Sequence, residues 1–216
     1  MLGYGGHADW RDMSEYVVHL TAAETLTKVL ELRALEPAGP LGTVRNLVEV
    51  ADSQHAVCLS EIPLDQLDRL VERHGAYGLG FRKTFVRDKG GAPVWYLNRD
   101  TPVADLFQEV IREAMHGGIQ STDSIWKIAP FIENPGSGDW GRYEFDWERE
   151  WRVVGKLTFG NAHIAFLTAP ESAHTTLRAD WLRRVTTSRQ PPPLIDLGWD
   201  LGRLQSAFAD YGLSQI

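Results

Sequence analysis

The chain has 216 residues, with 29 acidic side chains against 22 Lys and Arg, a formal net charge of -7, 8 Trp and a single cysteine. That length suits one domain (1–216) with a full core, and 43% hydrophobic with 24% charged residues is globular rather than disordered composition. One cysteine excludes an internal disulfide framework and a thiolate zinc cage, and the acidic balance argues against a general coat for the phosphate backbone. No stretch approaches the ~20 consecutive apolar residues that span a bilayer, and the first residues lack a basic segment followed by an apolar core. A soluble, unexported, cytoplasmic protein is therefore expected.

Residues 16–20 (YVVHL) have the β-branched, apolar character of a strand, and Thr21-Ala-Ala-Glu24 reads as a capping box opening a helix to about Leu32. Residues 36–54, with two Pro and two Gly, read as a long ordered loop with at most a turn of helix. A short strand at 56–60 leads to a helix over 63–74 that stops at Gly75. Residues 77–82 (YGLGFR) and 93–97 (PVWYL) are expected as two strands about a turn at Gly90 and Gly91. Thr101-Pro102 starts a clean amphipathic helix ending at Gly117-Gly118. Residues 125–131 are read as extended and 133–143 as a turn-rich loop, followed by a hairpin of 151–159 with 163–167. A helix over 170–185, a strand at 194–197 and a helix over 201–211 complete an α+β domain, its core at about 16–168 with a C-terminal extension.

The sequence has no G-x-x-x-x-G-K-[ST], H-E-x-x-H or G-x-S-x-G signature, so the best-known phosphoryl-transfer, zincin and hydrolase chemistries lose their strongest support. None of the seven His pairs with another ligand type at ligand spacing, so no metal is expected. Three segments stand out together. His19-Leu20-Thr21 joins a strand to a helix; read plainly, Thr21 is an N-cap and His19 a half-buried strand residue. The runs C-L-S-E-I-P-L from Cys58, Y-G-L-G-F-R-K from Tyr77 and A-P-V-W-Y from Ala92 read as core strands with glycines for close backbone approach. In W-E-R-E-W-R-V from Trp147, acidic residues enter an apolar strand, either as a solvated strand end or with Glu150 as a carboxylate at a cleft edge.

In this order the motifs resemble the AbiGi-type abortive-infection family and, through H-x-T and the late Glu, the wider set related to DarT, the toxin that ADP-ribosylates DNA bases. The similarity covers about 17–159. It implies an ADP-ribosyltransferase-like split β-sandwich holding NAD, with His19 and Thr21 on the ribose, Tyr77 or Phe81 stacked on nicotinamide, Arg45 from the long loop, and Glu150 as the catalytic acid, Glu148 competing. A carboxylate facing an oxocarbenium-like state would lower the barrier electrostatically. The leading expectation is thus an NAD-dependent ADP-ribosyltransferase acting on nucleic acid as a toxin or in phage defence. The alternatives are a catalytically silent antitoxin docking to a basic partner, or an NAD glycohydrolase. A local excess of cations, with Arg69, Arg73, Arg82, Lys83, Arg87 and Lys89 against Glu72 and Asp88, could steer a nucleic-acid strand if those side chains share a face.

Overall fold

The computed structural model describes residues 14–61, 63, 67–138, 141–143, 148–184 and 191–213. In chain order the elements are β1 (Tyr16–Thr21), α1 (Ala23–Leu32), β2 (Ala34–Leu35), β3 (Gly39–Pro40), α2 (Ala51–Gln54), β4 (His55–Ser60), α3 (Asp68–His74), β5 (Tyr77–Arg82), α4 (Lys83–Asp88), β6 (Ala92–Pro93) and β7 (Trp95–Tyr96). There follow α5 (Pro102–His116), α6 (Ser124–Ile128), β8 (Ile132–Glu133), β9 (Gly136–Gly138), β10 (Gly141–Tyr143), β11 (Glu150–Val154), β12 (Leu157–Thr158), β13 (Ile164–Thr168), α7 (His174–Arg184), β14 (Leu194–Ile195) and α8 (Leu201–Asp210). The protein is α+β. Its chain forms two compact units: Met1–Arg33, Leu59–Phe85 and Phe159–Ile216 make the first, and Ala34–Cys58 with Val86–Thr158 the second.

In the first unit β5 lies between β1 and β13, antiparallel to both, and β14 adds parallel to β13. The expected glycines of Y-G-L-G-F have a packing reason. An added Cβ on Gly80 would sit 2.2 Å from the Phe166 ring, and one on Gly78 would sit 2.5 Å from the His19 carbonyl oxygen. Phe166 uses that space to meet Tyr16 and Phe208 at centroid distances of 5.4 and 5.3 Å, and Tyr16 meets Phe208 at 5.6 Å, in tilted to edge-on contacts. Helix α8, capped by the Asp200 carboxylate on the Arg203 N–H at 2.9 Å, is thus part of this core.

Four expectations here are corrected. Helix α1 begins one residue after Ala22 with no side-chain cap, because Thr21 is drawn into β1 opposite Tyr77 and the capping box does not form. Residues 77–82 do not pair with 93–97: the chain turns into α4 after Arg82, β6 pairs β11 and β7 pairs β8 in parallel. The hairpin of 151–159 with 163–167 is absent as well. Gly155, at φ 74°, breaks the first strand; β12 pairs β2, and β13 pairs β5. Residues 125–131 are helical, as α6 and a following 3-10 turn.

The reason for that last difference lies in the second unit's core. Trp126 of α6 is fully buried with Val44, Val50, Ile111 and Ala129, and its carbonyl accepts from the Gln54 amide at 2.9 Å. A helical turn sets Trp126 and Ala129 on one side. Leu97, Ala104 and Ile132 form a second cluster, and Phe107 of α5 packs against both. The α5 boundaries follow the sequence: Thr101 caps the Ala104 N–H at 3.4 Å, Pro102 is its first residue, and Gly118 takes φ 86° beyond its end. In this unit β3 and β11 flank β4, with β6 beyond β11. The expected long loop at 36–54 is consequently punctuated by β3, a 3-10 turn at Val48–Val50, and α2.

Candidate functional site

Register places four of the residues singled out by sequence on one surface. Directly opposed residues of an antiparallel pair share a face, and β1 and β5 oppose Val17 to Phe81, His19 to Leu79 and Thr21 to Tyr77. His19, Thr21 and Tyr77 are half-buried there, whereas Phe81 is fully enclosed, its ring packed on Phe85 and Phe159 at 5.6 and 5.1 Å. The basic run beside them does not form a single cationic face. Lys83 is buried and ion-paired with Glu61 at 2.5 Å, linking two of the sequence motifs, and Arg82 lies 3.7 Å from Glu15 with its guanidinium over Tyr16.

Arg45 and Glu150 belong to the second unit, where two residues the sequence reading missed connect them. Glu150 and Arg152 stand two apart in β11, so their side chains share a face. Arg152 Nε and Nη2 donate to the two Glu150 carboxylate oxygens at 3.0 and 2.7 Å, a bidentate pair. The same Nη2 donates to Glu133 at 2.8 Å, and Nη1 donates to the Pro130 carbonyl. Glu133 also accepts from Arg45 Nη2 and, at 3.1 Å, from the Gly42 N–H. Gly42 is required at its position: it has φ 84°, and an added Cβ would lie 2.2 Å from the Ala129 carbonyl oxygen. Arg152 and Glu133 are each only 1% exposed; the Arg45 side chain, at 38%, is the network's widest opening to solvent.

The neighbourhood continues outward through polar contacts. Asn134, next to Glu133, accepts from Thr43 Oγ1 at 2.6 Å and donates to the Leu97 carbonyl at 3.0 Å, while Gln108 of α5 donates to Thr43 at 3.0 Å. The Glu150 N–H donates to the Tyr96 hydroxyl at 3.3 Å. Burial pushes the Cys58 thiol far above its usual range, with the charge and hydrogen bond of Glu150 adding to the rise. Burial and then the Glu150 charge raise Tyr96 likewise. For Arg152 burial opposes the charge, but the Glu150 hydrogen bonds and the two carboxylate charges outweigh it and hold the guanidinium protonated.

Two guanidiniums and two carboxylates make this cluster neutral and internally satisfied. Its chemistry is cohesion: each carboxylate already faces a cation, and Glu150 is held by Arg152. Among the described residues, no group of three or more His, Cys, Asp or Glu could hold a metal ion. Of the two missed residues, Arg152 did leave a signal in E-W-R-V-V. Trp151 and Val153 bury one face of that strand, so a buried opposite face forces any Arg there to find carboxylates.

The lone thiol offers a direct readout of this packing. Because the thiolate is the reacting species, native Cys58 is expected to react with iodoacetamide at mildly alkaline pH at least ~10-fold more slowly than in denaturant. Glu150→Gln should accelerate labelling in the native state. Equal rates for native and denatured wild-type chains would contradict the half-buried, Glu150-facing placement.

Among the described residues no helix is long and apolar enough to cross a membrane. No curated protein and no solved structure matches the chain. A family model described as "Putative abortive phage resistance protein AbiGi, antitoxin" matches residues 35–185. That antitoxin description overturns the leading expectation of an NAD-dependent ADP-ribosyltransferase toxin and agrees with the alternative of an antitoxin. With well over half of its length matched, the chain belongs to the AbiGi family of abortive phage resistance antitoxins.

Proposed function

We propose that the protein neutralises a cognate toxin by binding it directly, without chemistry of its own. The observation that carries this reading is family membership across β2 to α7, in a family described as an antitoxin. The site geometry supports it. The acid singled out for catalysis, Glu150, is engaged at both carboxylate oxygens by the Nε and Nη2 donors of Arg152, and the whole cluster serves to fix β11, β8 and the turn after β3. A net charge of -7 favours encounter with a basic partner.

Co-expression with the toxin is expected to restore growth, and the two proteins should elute as one complex of fixed stoichiometry. Restored growth with no complex, at concentrations matching those in the cell, would overturn direct neutralisation. Glu150→Gln chains that still fold should protect as well as wild type, since the carboxylate has no catalytic task.

A further inference from the structure

From one face of α5, we infer that this helix is the toxin-docking surface and that it receives a basic protein surface carrying an apolar groove. The inference rests on the direct-binding reading above. Ala104 and Ile111 turn into the second unit's core, with Phe107 and Ala114 packed at its margin. Val103, Leu106 and Val110 are instead 53, 61 and 47% exposed. Spaced by three and four residues, they form one stripe along about two turns. A surface helix ordinarily presents polar side chains on the face away from its core, so three branched apolar residues in line mark a surface that is covered in use.

The edge of the stripe indicates the chemistry of the cover. Asp105, Glu109 and Glu113 recur at every fourth residue, all exposed, and so run beside Leu106 and Val110 on the side away from the core. An apolar centre with a single-signed acidic border is the pattern of an interface whose partner supplies Lys or Arg at the rim and an apolar groove at the middle. A second copy of this chain is disfavoured by the same border, because antiparallel pairing of two such helices would set acid rows near one another. The α5 helix also lies wholly within the family-matched region.

The test uses the full chain and the purified toxin, with affinity measured at low and high salt. Leu106→Ser/Val110→Ser is expected to weaken binding at least ~10-fold, the behaviour of central anchors. Glu109→Lys/Glu113→Lys should slow association and remove most of its salt dependence. Leu182→Ser, an exposed apolar position on α7 in the other unit, should bind as wild type, and melting curves should show all variants folded. If wild type binds and both α5 variants bind equally well, the surface is wrong although direct neutralisation stands. If wild type does not bind, direct neutralisation itself fails and takes the surface with it. A wild-type dimer in sedimentation that the stripe variant dissolves would assign the face to a second copy and overturn the proposal.

Discussion

Replacing Arg152 with Met is expected to lower stability by about 3–5 kcal/mol, the cost of leaving a buried charge without its partner. For a chain of this size that corresponds to a melting temperature lower by roughly 6–20 °C. The size of the effect follows from what remains: Glu133 keeps only Arg45 and the Gly42 N–H, and Glu150 loses both of its guanidinium bonds. Arg45→Met removes a half-exposed partner and should cost far less, about 1 kcal/mol or below. Adding Glu133→Gln and Glu150→Gln to Arg152→Met removes the stranded charges, so the triple variant should recover part of the loss. Thermal unfolding of the four chains checks the order. An Arg152→Met protein melting within a degree of wild type would refute the cluster as a stabilising element.

Phe166→Ala carries the other large effect, with an expected loss of about 3–5 kcal/mol from a fully buried aromatic ring. The coupling to Gly80 makes this more specific than a generic core deletion. In the wild-type background Gly80→Ala places a methyl against the Phe166 ring and should destabilise by about 1–3 kcal/mol. In the Phe166→Ala background the obstructing ring is gone, and the same substitution should be close to neutral or stabilising, since it also stiffens an unfolded glycine. A double-mutant cycle by urea unfolding measures that coupling. Additive losses would show that the glycine is not there for the ring.

Local patterns carried much of the fold. The amphipathic period of α5, its Thr101-Pro102 start and its glycine stop act within the segment itself, and the element appears where they place it. The strand character of 16–20, 56–60 and 77–82 was legible for the same reason. Partnership was not. Strand pairing across long separations depends on which apolar faces meet, and nothing in PVWYL states that β6 joins β11 while β7 joins β8. Ile125 to Phe131 failed differently: a short apolar run has no period of its own, and burial of Trp126 decided for helix. At the site, H-x-T and Y-G-L-G-F were brought onto one face of β1 and β5, and Arg45 was joined to Glu150 only through Arg152 and Glu133. The sequence showed the charges near Glu150 but not that they answer one another, because Glu133 and Arg45 lie 88 residues apart.

The path of the chain through its two units orders events during synthesis. The second unit is complete once Thr158 has been made, and the bond between Arg45 and Glu133 can already close by then. The first unit begins earlier and finishes later, because the ring cluster that starts at Tyr16 waits for Phe166 and then Phe208. Domains tend to fold as units when their residues become available. The α5 face is therefore presented while Tyr16 of β1 still lacks its aromatic partner from α8, and on the docking proposal above a nascent chain would be competent to meet its partner before its own folding is finished.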